Sequence, residues 1–231
     1  MGDQGNGKGD GRDDRTALST KDIEDILYYF SSSIFGQNTV DDILWDLAKN
    51  CISQLGFEDC VIYLYDEQDK KLIQKAAYGP KNPREFELLK PITIPLGKGI
   101  VGSVAKLGTA EIVDDTSLDP RYITDDERRL SEITVPIIDE GKLIGIIDSE
   151  HHDKGFFLAE HLEILTTISA LCANKIAKAL AEEKIRRNEI ELLSAKHKMV
   201  EYQLASLRAQ MNPHFIGLRF GFKTLHFSAE L

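Results

Sequence analysis

The sequence predicts an α/β (α+β) domain built on a central antiparallel sheet, followed by one long C-terminal coiled-coil helix. Three observations carry this reading. Residues 91–150 hold the densest alternation of short apolar runs and turn residues in the chain. Two amphipathic stretches precede them, and an apolar stripe at spacings of three and four runs from about residue 158 to 211.

Taken in order, residues 1–18 are polar and glycine-rich and are expected to be disordered. Residues 19–37 predict a helix: Ser19 or Thr20 can cap it, Asp22, Glu24 and Asp25 suit its positive end, and Ile23, Ile26, Leu27 and Phe30 share a face. Ser31, Ser32, Ser33 and Gly36 are expected to weaken its second half. Thr39, with Asp42 three residues on, predicts the start of a second helix whose face is Ile43, Leu44, Leu47, Cys51 and Leu55, stopped at Gly56. Strands are expected over residues 60–65, 71–77, 92–94 and 110–113, with a loop or short helix over 80–90. Residues 99–105 read as a short helix ended by Gly108. Residues 134–138 and 142–148 read as a hairpin turned by Asp139, Glu140 and Gly141. Between them, residues 114–129 form a long polar excursion, and loops of that length more often serve a function than fill space.

From residue 158 the pattern is helical. Leu162, Leu165, Ile168, Ser169, Cys172 and Ile176 suit packing on the sheet. Farther on, Ile190, Leu193, His197, Val200, Leu204 and Leu207 fall on heptad core positions, which predicts a homodimer through the C-terminal helix because a lone helix leaves that stripe in water.

Composition narrows the function. A net charge of −10 argues against a nucleic-acid partner, which needs a basic footprint. Cys51, Cys60 and Cys172 are too few and too scattered for a disulfide framework or a paired-cysteine metal site. With no run near about 18 uninterrupted apolar residues, no membrane segment is expected and a cytoplasmic location is. His151, His152 and Asp153 look like metal ligands on paper. Adjacent residues of an extended segment point to opposite faces, so no metal is expected there.

Several segments in one order resemble the GAF domain, a small sensory module: residues 95–102, residues 114–122 including Asp119, Pro120, Arg121 and Tyr122, residues 135–137 and residues 141–147. The resemblance covers residues 38–178 and implies a cavity on one face of the sheet. Ser103, Asp114, Asp115, Thr116, Tyr122 and Ser149 are the candidates for lining it and contacting a small-molecule ligand. Free-standing GAF-fold enzymes of the free methionine sulfoxide reductase kind work through cysteines. That activity, or a ligand-free dimerisation scaffold, is the alternative function.

Residues 207–215, with Gln210, Met211, Asn212, Pro213, His214 and Phe215, resemble the phosphoacceptor segment of LytS/YehU-type sensor histidine kinases. The resemblance implies that His214 accepts a phosphoryl group. Residues 179–211 would then be a signalling helix and residues 212–231 the start of the kinase and a divergent tail. After Ile216 the sequence leaves the family pattern, and no phosphate-cradling loop follows. No cofactor is therefore expected in this chain: ATP and Mg²⁺ would belong to a kinase domain outside it, as would any response-regulator partner. The combined expectation is the sensory and dimerisation part of a histidine-kinase-like signal transduction protein.

Overall fold

Thr39 begins the domain as its sequence suggests. Its Oγ1 accepts the Asp42 backbone N–H at 3.1 Å and donates to the Asp42 carboxylate at 2.6 Å, closing the first turn of a helix. The computed structural model describes residues 20–210 apart from residue 85. In chain order these form α1 (Thr20–Gly36), α2 (Val40–Leu55), β1 (Cys60–Asp66), β2 (Lys71–Tyr78), β3 (Thr93–Pro95), α3 (Gly99–Leu107), β4 (Glu111–Val113), β5 (Ser131–Asp139), β6 (Lys142–His151) and α4 (Ala159–Gln210). The expected disordered segment, and the segment holding His214, lie outside the described residues.

The six strands pair antiparallel throughout in the order β3-β2-β1-β6-β5-β4. The β5–β6 hairpin turns on two residues, Glu140 and Gly141, whose φ angles of 47° and 77° give the mirror-image turn that matches strand twist. Both strands run past their expected bounds, to Ser131 and His151. The polar residues 131, 132 and 149–151 that hid this extension are buried ladder members.

Strand alternation sorts the core into two layers. From β1, Cys60, Ile62 and Leu64 face a cluster built with α1, α2 and α4, while Val61 and Tyr63 face a second cluster with α3. Burial on both faces explains the unbroken apolar run of this central strand. α4 seats Ile164, Leu165, Ile168, Cys172, Ala173 and Ile176 on the first layer, and Ser169 Oγ donates to the Pro136 carbonyl oxygen at 2.6 Å. α3 lies against β3 because Gly102 has no side chain: a Cβ there would stand 2.6 Å from the Pro95 carbonyl oxygen. α1 runs through its three serines to Gly36, within the helix expected over residues 19–37. Ser31 Oγ bonds back to the Tyr28 carbonyl oxygen at 2.9 Å, and Ser33 is held by Asp46 of α2, so these two hydroxyls are satisfied without breaking the helix, and Ser32 is exposed. Residues 80–90 form turns, not a helix, among the described residues.

The chain divides into two units, residues 1–181 and residues 182–231. In the second, the described residues 182–210 continue α4 with every side chain exposed, including Ile190 at 62%, Leu193 at 65% and Leu204 at 49%. One 18-residue stretch of α4 is apolar enough on average to match a membrane span, but 44% of it is buried within the protein, as in a core-facing helix.

Candidate functional site

The α3 side of the sheet carries the chemistry. On β5 and β6 the charged and hydroxyl residues facing this side are Glu132 and Thr134, directly opposite Glu150 and Asp148. A like-charged pair in register is normally destabilising, and here it is also buried: Glu132 is 3% exposed, Asp148 5% and Glu150 7%. Asp59, just before β1, joins them and accepts the Glu150 backbone N–H at 2.7 Å. These four acids, with Asp125 and Asp126 from the long loop, line a cavity of about 20 Å³, enough for one water. Its apolar wall includes Val61, Ile94, Val101 and Ile123.

Burial acts on every one of the sheet acids. It pushes the Glu132 carboxyl well above its ordinary range, reinforced by Asp148 and Glu150, and does the same to Glu150, reinforced by Asp148 and Asp59. Burial raises Asp148 to about 6 and Asp59 to about 7, the latter against the pull of the Arg129 guanidinium. One hydroxyl serves two carboxyls: Thr134 Oγ1 lies 2.7 Å from Asp148 Oδ1 and 3.2 Å from Glu132 Oε1.

Two cations answer this charge. Arg129, 2% exposed, stands behind the loop wall and reaches Asp126 at 2.7 Å, Glu150 at 3.2 Å and Asp59 at 3.5 Å. Among the described residues Lys81 is the one cation lining the cavity. Its Nζ pairs with Asp125 and donates to Gln74 Oε1 at 3.1 Å, while Gln74 Nε2 donates to Tyr63 Oη at 2.9 Å. Burial pulls the Lys81 ammonium below its usual value, opposed by Asp126, Glu150 and Asp59.

The loop over residues 114–130 is fastened at both sides of the cavity. Arg121 grips Asp119 and Glu111 of β4 together, and Thr116 N donates to the Leu130 carbonyl oxygen at 3.0 Å. Ile123 closes over α3, where a Cβ on Gly99 would stand 2.6 Å from its Cδ1.

The six residues singled out from sequence surround this arrangement without lining it. Ser103 Oγ bonds to the Gly99 carbonyl oxygen of its own helix at 2.6 Å. Asp114 is exposed, and its carbonyl oxygen accepts the Gly155 N–H at 2.8 Å. Asp115 pairs with Lys154 at 2.6 Å, which with Ser117 holds its carboxyl below the ordinary value. Thr116 Oγ1 donates to the Arg129 carbonyl oxygen, and Tyr122 Oη accepts the Arg129 N–H at 3.0 Å, so both support the loop. Ser149 points to the opposite face from Asp148 and Glu150, and its Oγ is buried with no hydrogen-bond partner. What sequence reading passed over was the period-two placement of acids in 132–134 and 148–150, between apolar residues of the other face.

Cys51, Cys60 and Cys172 are fully buried in the layer beneath the sheet, away from the cavity. A contact with Cys60, together with burial, drives the Cys51 thiol well above its ordinary range, and burial pushes Cys172 up to about 12. No cysteine lines the cavity.

The two histidines overturn the expectation that they point apart. β6 ends at His151 and the chain bends, so the His151 and His152 rings stack at 4.5 Å and both face Glu58, the third member of the one cluster of potential metal ligands among the described residues. His151 also lies flat on Phe156 at 3.6 Å, and its Nδ1 accepts the Asp153 N–H at 3.0 Å. Stacked rings inclined by 21° send their in-plane lone pairs side by side, and an Nδ1 that accepts leaves the proton on Nε2, so the cluster reads as a carboxylate–histidine network.

Residues 37–177 match the family model described as a GAF domain, which spans more than half of the chain. The chain belongs to the GAF domain family. Protein YtsP of Bacillus subtilis is 26% identical to it over 167 residues, 72% of this chain and 86% of YtsP. Among solved structures, the GAF domain of an Acinetobacter phosphoenolpyruvate-protein phosphotransferase aligns with a TM-score of 0.63 at 23% identity, covering 71% of this chain and 97% of that domain. The free methionine-R-sulfoxide reductase of Neisseria meningitidis, solved in complex with its substrate, aligns with a TM-score of 0.63 at 21% identity, covering 72% of this chain and 96% of the reductase. At these identities the likeness carries the fold, so this GAF domain resembles both sensory modules and reductases in architecture.

Proposed function

We propose that this GAF domain is the sensory part of a signal transduction protein and that its cavity takes a small molecule bearing a cationic amine, such as a free amino acid. The observation that carries this is the surplus of acids at the cavity: among the described residues six line it, four of them buried (Asp59, Glu132, Asp148 and Glu150), against one cation. Carboxylates held above their ordinary pKa by burial and mutual repulsion gain more from a bound ammonium than exposed ones do. The same charge disfavours phosphates and nucleotides. The apolar wall of Val61, Ile94, Val101 and Ile123 suits a side chain attached to that amine.

The signal would leave through α4. A ligand that binds two arrangements of the cavity unequally biases any element packed on the sheet, and α4 is packed there. The exposed heptad stripe of residues 190–207 supports a homodimer of these helices. The resemblance of residues 207–215 to a phosphoacceptor segment supports a histidine-kinase-like parent, in which His214 would pass phosphate to a response regulator.

The reductase reading draws on the architectural likeness to the Neisseria enzyme. Sulfoxide reduction by cysteine needs an accessible thiolate at the substrate, and all three thiols here are buried in the other layer. One experiment separates the two. A thermal-shift panel of free amino acids and their N-acetyl derivatives should find stabilisation by free amines alone. A parallel assay with free methionine sulfoxide and a thiol reductant should show no turnover. Turnover that disappears when Cys51, Cys60 or Cys172 is replaced by Ser would overturn the sensory reading in favour of the enzyme.

A further inference from the structure

Lys81 is an unusual resident of this cavity. It follows β2 in a turn segment, yet its side chain is 3% exposed and enters a cavity lined by six acids. Lysine side chains are rarely buried unless something inside rewards the charge. Here the ammonium is met by the Asp125 carboxylate, 12% exposed, and by Gln74 Oε1. Gln74 in turn bonds Tyr63 Oη on the floor and accepts the Ile92 N–H at 2.9 Å on the wall. Asp125 belongs to the loop over residues 114–130, so the ion pair ties that loop to the turn after β2 from inside the cavity, beside a second bond in which Gln74 Nε2 of β2 donates to Asp125 Oδ2 at 2.5 Å. The remaining space, about 20 Å³, is too small for an amino acid.

We propose that the Lys81 ε-ammonium is a tethered stand-in for the ligand's cation: it fills the amine subsite, holds the 114–130 loop shut through Asp125, and leaves when a ligand amine replaces it. The inference rests on the reading of this cavity as a ligand site. It names the competitor that a ligand must displace and the element that must move. A ligand with a bare amine and nothing else would gain little over Lys81, which is already in place. One that also fills the apolar wall beside Ile94 and Val101 would win, so Lys81 sets a threshold for specificity.

The test needs no natural ligand. Lys81→Ala removes four heavy atoms, Cγ to Nζ, and n-propylammonium supplies the same four. Thermal unfolding of Lys81→Ala and of the parent is followed with added propylammonium chloride, 1-propanol, or sodium chloride at equal ionic strength. The expected result is that propylammonium at tens of millimolar raises the Tm of Lys81→Ala by roughly 2–4 °C, with no rise for the parent, the alcohol or the salt. An equal response to 1-propanol, or none to propylammonium, would overturn the proposal. Lys81→Met keeps the stem without the charge and covers the case in which the alanine variant does not fold. Its amide exchange over residues 114–130 should be faster than in the parent, and unchanged exchange would refute the tether. Failure here with free amines still binding the parent would remove the stand-in and leave the sensory reading intact. Rescue here with no amine binding the parent would keep Lys81 as the loop's tether but remove both the ligand it stands in for and the sensory reading.

Discussion

Asp148→Asn should make the protein more stable, and the gain should grow with pH. Asp148 is 5% exposed, lies opposite Thr134 and stands beside Glu132 and Glu150. Burial raises its carboxyl from 3.8 to about 6. The sign follows from linkage: a raised acid contributes fully below its unfolded value, and that contribution is lost as pH rises through the folded one. At pH 8 the ionised carboxylate costs the fold about 3 kcal/mol relative to a neutral group, whereas at pH 4 the difference is below about 1 kcal/mol. Asparagine cannot ionise, and its carbonyl oxygen can still accept from Thr134 Oγ1, which lies 2.7 Å from Asp148 Oδ1. Urea unfolding of parent and variant at both pH values reads the effect. The variant should be the more stable by an amount on the order of 2–3 kcal/mol at pH 8, shrinking towards zero at pH 4. A variant less stable than the parent at pH 8, or a gain independent of pH, would refute the reasoning that this cluster is held together at a cost. Such a cost is expected where a site is kept ready for a cation at the expense of stability.

Two further outcomes test the C-terminal half. Leu204→Glu would set carboxylates against each other across a helix-pair seam, where truncating a buried leucine already costs roughly 2–5 kcal/mol, so sedimentation should show dissociation; Ser206→Glu should sediment as the parent does, and equal dimer content in all three would move the seam elsewhere. Incubation with labelled ATP and Mg²⁺ should leave His214 unmodified in this chain, and acid-labile phosphate on that residue would reveal a nucleotide site that sequence reading missed.

Much of the fold is legible in local sequence because its signals are local. Thr39 with Asp42, Gly108 after α3, and Glu140 with Gly141 between two β-branched runs each act within a few residues, and each is found where it was expected. The cavity was harder because its members come from distant places. Asp59, Lys81, Asp125, Glu132 and Glu150 converge only once β1 pairs with β6 and the 114–130 loop folds back. Residues 114–116 and 122 drew attention as the polar loop of a sensory domain, but the Thr116 and Tyr122 side chains fasten that loop, Asp115 pairs with Lys154, Asp114 bonds through its backbone, and the residues that enter the cavity are Ile123, Asp125 and Asp126. Arg129 looked like one more charge in a polar run, yet it is among the largest fully buried side chains of the protein. His151 and His152 misled for a related reason, since strict alternation ends where β6 ends and the next residue is free to turn back.

In the proposed sensory function, buried, partly protonated carboxylates recognise a cationic amine. Calorimetric titration of the parent with the free-amino-acid panel, at pH 6.5 in two buffers of different ionisation enthalpy, tests it directly. Lys81 Nζ pairs with Asp125, so a ligand ammonium seated against Asp148, Glu132 and Glu150 lowers their pKa, binding should release protons to the buffer, and Asp148→Asn should release fewer. Binding with proton uptake, or binding shared equally by the N-acetyl derivatives, would contradict it.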